Sequence, residues 1–99
     1  MPVMAAYIVV DTEITDPEQY EDYKRLAKPI VESHGGTYLA RGGAMHVVDA
    51  ELWSPTRIVL LEFPDMASAR AFAESDEYAP VAAMRHDYAN STVVIIDGV

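Results

Sequence analysis

Two short segments carry large apolar side chains at four consecutive positions, Ile58 to Leu61 and Val93 to Ile96. Neighbouring residues of a β-strand point to opposite faces of the sheet, so these runs make both faces apolar. Helices that pack on one face leave the other as an unusually large apolar patch in water. The sequence therefore predicts that a second copy of the chain covers that face. The alternative is that residues 49–56, with Leu52 and Trp53, fold back over it within one subunit.

The other patterns give the remaining elements of the chain. Residues 5–12 and 37–41 are predicted strands, because they are short and mostly apolar, and residues 57–63 and 91–97 complete a set of four. After the glycines at 42 and 43, residues 44–48 are predicted to continue extended.

Three helical segments are predicted between these strands. The first begins at Pro17 behind a capping side chain from Thr15 or Asp16, and ends at the glycines 35 and 36 despite the proline at 29. The others follow Asp65 and Pro80. The order βαββαβ predicts one α+β domain over residues 1–99. Its expected fold is ferredoxin-like, a four-stranded antiparallel sheet with helices on one face.

Charge and composition narrow the classes of function. The formal net charge is −9, from 16 acidic and 7 basic residues, which argues against nucleic acid and anionic membranes as partners. The chain has no Cys and no His pair at metal-ligand spacing, so we expect no metal site. It also has no phosphate loop or dinucleotide fingerprint, and we expect no cofactor. No signal peptide or membrane-length apolar run is evident, so the expected location is the cytoplasm.

Arg41 and Glu62 are the first candidates for a functional site, because they are the two charges that interrupt apolar strands. Both lie near strand ends, where a pocket between sheet, helices and loops would open. Arg41 could hold a substrate carboxylate or enolate, and Glu62 could accept a proton. The alternative is an ordinary structural ion pair, or two charges at the solvent edge of the sheet.

Other candidates come from the helices and from the loop between them. His34, at the end of the first helix, could act as an acid or base, although a histidine there is more often structural. Tyr20 and Tyr23 fall on the stripe that faces the sheet, as core residues with a hydroxyl that reaches a polar partner or a pocket. Tyr78 and Arg85 follow a helix break, where loops often rim ligand sites. Tyr7 and Tyr38 could line the same cavity, depending on strand register.

Several short motifs together resemble a known family. They are Tyr20-x-x-Tyr23, His34-Gly35-Gly36, Ala40-Arg41-Gly42-Gly43, Glu62-Phe63-Pro64, Ser75-x-Glu77-Tyr78 and Arg85. In this order and spacing they resemble the small bacterial domain-of-unknown-function group thirteen-thirty, within the dimeric α+β-barrel superfamily. The resemblance covers nearly the whole chain. It implies a ferredoxin-like subunit that pairs sheet to sheet, in a superfamily that includes cofactor-independent monooxygenases, isomerases and haem-degrading enzymes.

Two hypotheses of function follow, with haem handling as a third. The first is a non-catalytic protein that binds a small anionic or aromatic metabolite in a pocket near Arg41 and Glu62. The second is a cofactor-independent enzyme, for proton transfer or monooxygenation, with Glu62 as base and Arg41 as anion holder. In both, the expected partners are a second copy of the chain and a small molecule.

Overall fold

The computed structural model describes residues 4–99, so the first three residues of the predicted domain lie outside the described part. The elements in chain order are β1 (Ala6–Ile14), α1 (Pro17–Ser33), β2 (Thr37–Arg41), β3 (Ile58–Phe63), α2 (Met66–Ala73), α3 (Ala79–Tyr88) and β4 (Ala89–Asp97). The sheet order is β2-β3-β1-β4, and every neighbouring pair is antiparallel. The predicted ferredoxin-like α+β fold, with its helices on one face, is confirmed.

The segment between β2 and β3 differs from its prediction. Residues 43–57 contribute no strand, so the predicted extended continuation through 44–48 does not join the sheet. Gly42 has a φ of +70°, a left-handed conformation that glycine adopts without steric cost. Its N–H donates to the carbonyl of Ile58 at 2.9 Å. This contact turns the chain away from the sheet edge as β2 ends.

Local capping fixes where the helices begin and end. The Asp16 carboxylate accepts a hydrogen bond from the N–H of Gln19 at 3.2 Å, and Pro17 follows in the first turn, so α1 begins as its sequence predicts. The helix continues past Pro29 and ends at a left-handed glycine, Gly35, with a φ of +86°. The Asp65 carboxylate caps α2 through the N–H of Ser68 at 2.7 Å, which lowers the pKa of Asp65.

The core lies between the sheet and the three helices. Ile8, Leu61 and Phe63 point from the sheet into it, and Val31 and Phe72 meet them from the helices. Burial of each large side chain stabilises the fold by roughly 1.5–3 kcal/mol. A Cβ at Gly36 would lie 2.7 Å from the Phe63 ring, so this glycine allows the chain after α1 to pass close to β3.

The opposite face of the sheet, which we call the open face, carries no helix. Val94 and Ile96 on this face are 49% and 55% exposed. Trp53 approaches one end, where its indole Nε1 donates to the Asp11 carboxylate at 2.9 Å. Leu52, however, is 91% exposed. The segment 49–56 therefore touches the open face but does not cover it, contrary to the alternative prediction.

Candidate functional site: a cationic, aromatic cavity

A cavity of about 230 Å³ lies between the helices and the sheet. One row of residues crosses its floor, since Arg41 on β2 pairs with Val59 on β3, Val59 with Val10 on β1, and Val10 with Val93 on β4. All four residues line the cavity. The sheet therefore supplies an apolar floor with a cation at its β2 end.

Five aromatic residues form the walls, Tyr20, Tyr23, Tyr38, Phe72 and Tyr78. The hydroxyl oxygens of Tyr23 and Tyr78 lie 2.6 Å apart, so one hydroxyl donates a hydrogen bond to the other. Two causes raise the pKa of Tyr23 well above its ordinary value. The larger is the burial of its hydroxyl, and the second is the neighbouring hydroxyl of Tyr78. The Tyr23 hydroxyl is therefore neutral at physiological pH and does not act as a proton acceptor.

A β-bulge explains why Arg41 reaches the cavity. Tyr38 pairs with Leu61, whereas Arg41 pairs with Val59, and the register shifts between Tyr38 and Ala40. In a regular strand, residues three apart point to opposite faces, and the extra residue of a bulge brings both to one face. The guanidinium of Arg41 consequently lies 4.4 Å from the centre of the Tyr38 ring. Its Nη2 also donates to the carbonyl of Lys24 at 2.9 Å.

Arg57 is a lining residue that the sequence analysis missed. It precedes β3, and its guanidinium lies 5.7 Å from the centre of the Tyr20 ring. A Cβ at Gly42 would lie 2.5 Å from its Nε, so only glycine leaves room for it there. The backbone N–H of Arg57 donates to the Asp11 carboxylate at 3.0 Å. In the sequence, an arginine at the start of a strand has the pattern of an ordinary surface charge. Only the pairing of β3 with β1 shows that Arg57 lines the cavity.

Arg85 supplies the third cation, from α3. The residue is only 9% exposed, and its Nη1 donates to the hydroxyl of Ser91 on β4. Its Nε is buried and has no hydrogen-bond partner within residues 4–99. A guanidinium offers five N–H donors, so most of the donor capacity of this buried cation is free for a ligand.

The charge of the cavity is opposite to that of the protein. Lys24, Arg41, Arg57 and Arg85 are four of the seven basic residues, and no described Asp or Glu lines the cavity. Lys24 pairs with Glu21 at 3.2 Å. The three arginines form no salt bridge within the described part of the chain, whereas Arg25 and Arg70 each pair with a carboxylate of their own helix. The unpaired cations are thus concentrated in the cavity.

The candidate residues from the sequence separate into two groups. Arg41, Tyr20, Tyr23, Tyr78 and Arg85 line the cavity, and Glu62 and His34 do not. Glu62 pairs with Tyr7 on β1 and points to the open face, because alternate residues of β3 face opposite sides. There its carboxylate raises the pKa of Tyr7, as a hydrogen-bond acceptor and as a negative charge. The prediction that Arg41 and Glu62 share a pocket is wrong.

His34 caps the end of α1, outside the cavity. Its Nδ1 lies 2.9 Å from the carbonyl of Ile30, and its ring packs edge-on against Phe72 at 5.9 Å between centres. These contacts give the imidazole a structural role.

In residues 4–99 no three His, Asp or Glu side chains come together as metal ligands, and no helix there has the length and apolarity to cross a membrane.

The fold places this chain among the ferredoxin-like α+β proteins. More narrowly, the chain belongs to the family described as a domain of unknown function (DUF1330), whose model matches residues 5–99. The predicted family is therefore confirmed. No curated protein matches the sequence.

Solved structures from three organisms share the fold. A protein of unknown function from Rhodopseudomonas palustris is 16% identical, with a TM-score of 0.73 over 97% of this chain and 83% of its own. SnoaB, a cofactor-independent oxygenase from Streptomyces nogalater, is 11% identical, with a TM-score of 0.67 over 95% of this chain and 92% of its own. A candidate antibiotic biosynthesis monooxygenase from Nitrosomonas europaea is 21% identical, with a TM-score of 0.57 over 100% and 93%. At these identities the similarity establishes the fold and not an activity.

Proposed function

We propose that this protein binds a small anionic, aromatic metabolite in the cavity between its helices and its sheet. The observation that carries the proposal is a set of three arginines that form no salt bridge within residues 4–99, Arg41, Arg57 and Arg85, in a cavity walled by aromatic rings. A charge removed from water is costly unless an opposite charge or hydrogen bonds compensate it. An anionic ligand supplies that compensation, and the rings contact its apolar part.

The size of the cavity fits a small molecule. Its volume of about 230 Å³ lies just below the ~300–1,000 Å³ of pockets for drug-sized ligands. A water molecule occupies roughly 30 Å³ in the liquid, so the space corresponds to roughly eight waters. A single aromatic ring with one or two polar substituents matches it.

We prefer binding to base catalysis because the proposed base is on the wrong face. Glu62 lies across the sheet from the cavity, and no other described carboxylate lines it. Burial raises the pKa of Tyr23, so its hydroxyl stays neutral and does not accept a proton near neutral pH. With four cations against one exposed imidazole, that of His86, in its lining, the cavity is better equipped to hold an anion than to deprotonate a substrate.

A thermal-shift screen of aromatic carboxylates tests the binding proposal. A ligand at ten times its Kd stabilises the folded state by about 1.4 kcal/mol, which raises the Tm of a domain this small by roughly 5–10 °C. We expect such a shift for wild type, and a much smaller one for Arg41→Ala.

Two control variants keep the test specific. Arg25→Ala removes the same charge from an exposed helix position, and Glu62→Gln removes a charge from the open face. Both should retain the full shift. Absence of a shift for every carboxylate on wild type, or equal shifts for Arg41→Ala and Arg25→Ala, would falsify the proposal.

The protein is also proposed to form a homodimer through the open face. Tyr7, Val9, Ile58, Leu60, Val94 and Ile96 give this face a broad apolar surface that no described element covers. Each large apolar side chain that a partner buries contributes roughly 1.5–3 kcal/mol. A second copy provides an identical apolar sheet, which a two-fold axis can place face to face with the first.

Sedimentation analysis of wild type and Leu60→Lys tests the dimer. Leu60 lies in the middle strands of the open face, opposite Val9. We expect a dimer for wild type at micromolar concentration, and a monomer for Leu60→Lys because an unpaired charge would be buried at the interface. Leu52→Lys is the control, since Leu52 is exposed on the loop, and it should remain dimeric. A wild-type monomer at these concentrations would refute the proposal.

A further inference from the structure

The cations of the cavity approach it from opposite edges of the sheet. Arg41 stands on β2 at one edge, and Arg85 is fixed through its hydrogen bond to Ser91 on β4 at the other edge. Three interstrand steps separate these strands, which is roughly 14 Å at ~4.8 Å per step. The backbones of Arg41 and Arg85 therefore lie on opposite sides of the cavity, which has a cation-bearing residue at each end.

The cavity combines the buried cation at its β4 end with a pair of hydroxyls. Arg85 has no carboxylate partner within residues 4–99, and its Nε has no hydrogen-bond partner there. Tyr23 and Tyr78 line the same cavity, and their hydroxyl oxygens lie 2.6 Å apart. When one hydroxyl of such a pair donates to the other, a single O–H donor is left over. Besides its guanidiniums, the cavity thus offers one free O–H donor and hydroxyl lone pairs.

We propose that the cavity recognises two oxygen groups on one aromatic ligand, a carboxylate at Arg41 and a ring hydroxyl at the Tyr23–Tyr78 pair. The ligand class is then the hydroxylated aromatic carboxylates. A hydroxyl both donates and accepts, so it matches the mixed donors and acceptors of the tyrosine pair. The apolar row Val59, Val10 and Val93 lies beneath the ring. This inference rests on the proposed function and specifies its ligand.

Two probe ligands of nearly equal size isolate the hydroxyl, 4-hydroxybenzoate and 4-methylbenzoate. Their dissociation constants are measured by titration calorimetry for wild type, Arg41→Ala, Tyr23→Phe and Tyr78→Phe. The tyrosine variants remove one oxygen each and keep the ring, so they preserve the packing of the walls. Tyr88→Phe, outside the cavity lining, is the matched control.

We expect wild type and Tyr88→Phe to bind 4-hydroxybenzoate at least about tenfold more tightly than 4-methylbenzoate. In Tyr23→Phe and Tyr78→Phe this preference should fall to about twofold or less, with the affinity for 4-methylbenzoate nearly unchanged. Arg41→Ala should weaken both ligands by a similar factor of about ten, because it removes the carboxylate contact that they share.

The outcomes separate the two proposals. If both probes bind wild type with equal affinity, or if the preference survives in both tyrosine variants, the second oxygen site is wrong while the binding function stands. If neither probe binds wild type at millimolar concentration, the proposed function fails and this inference fails with it.

Discussion

The two faces of the sheet differ in charge, and they also differ in that helices pack on only one of them. The helix face holds Arg41, Arg57 and Arg85 around a cavity without a described carboxylate, whereas β1 and β3 place the carboxylates of Asp11 and Glu62 on the open face. Both sets of side chains come from a protein with a net charge of −9. Strand alternation places Glu62 on the open face, whereas the bulge in β2, the segment before β3 and helix α3 bring the three arginines to the cavity. The cation-rich face suits an anionic ligand, and the apolar open face suits another sheet.

The largest expected effect concerns the stability that the helix face provides. Phe63 is fully buried and stacks on Phe72 at 5.5 Å between ring centres. Phe63→Ala should lower the free energy of unfolding by about 3–5 kcal/mol, because it removes the buried ring and leaves a cavity. Urea denaturation measures the loss.

Leu52→Ala serves as the control for Phe63→Ala, since Leu52 is exposed, and should change stability by less than about 0.5 kcal/mol. Similar losses in the two variants would mean that the helix face does not dominate the stability of the subunit.

How far the sequence predicts these faces depends on register. The strands, the helix caps at Asp16 and Asp65, and the order of elements follow from local patterns, and the structure reproduces them. The face of each charged residue does not follow from them, because a shift of one residue reverses every side chain. The bulge after Tyr38 decides the position of Arg41, and only cross-strand pairing places Glu62 opposite Tyr7. Arg57 was missed because its position depends on a contact to a residue 46 places earlier.

An intermediate effect concerns Glu62 on the open face. In the proposed dimer this carboxylate is taken out of water, a cost that its neighbour Tyr7 offsets only in part. Glu62→Gln should therefore tighten self-association by about tenfold, or 1.4 kcal/mol, as measured by dilution in sedimentation experiments.

Glu77→Gln makes the same charge change at an exposed position outside the sheet, and we expect it to leave the dimer constant nearly unchanged. Weaker association of Glu62→Gln would instead show that the carboxylate forms a favourable contact across the interface.

The smallest effect concerns Asp11, which connects the two faces. Its carboxylate accepts hydrogen bonds from the N–H of Thr56 at 2.8 Å, the N–H of Arg57 at 3.0 Å and the indole of Trp53 at 2.9 Å. Burial alone would raise the pKa of Asp11, but these bonds outweigh it and hold the pKa below its ordinary value of 3.8. Asp11 therefore fixes, from the open face, the backbone that carries Arg57 into the cavity.

The lowered pKa gives the stabilisation by Asp11 a defined pH dependence. The folded state favours the ionised carboxylate, so this stability is fully present above the unfolded value of 3.8 and is lost as the pH falls through the lower folded pKa. Asp11→Asn should cost about 1 kcal/mol at pH 7, and the difference from wild type should shrink as the pH drops below that value. Asp76→Asn, at an exposed turn, is the control for the charge change. A cost for Asp11→Asn that is the same at pH 7 and pH 3 would show that the ionised carboxylate does not hold the loop, and that Arg57 is positioned by Gly42 and Tyr20 alone.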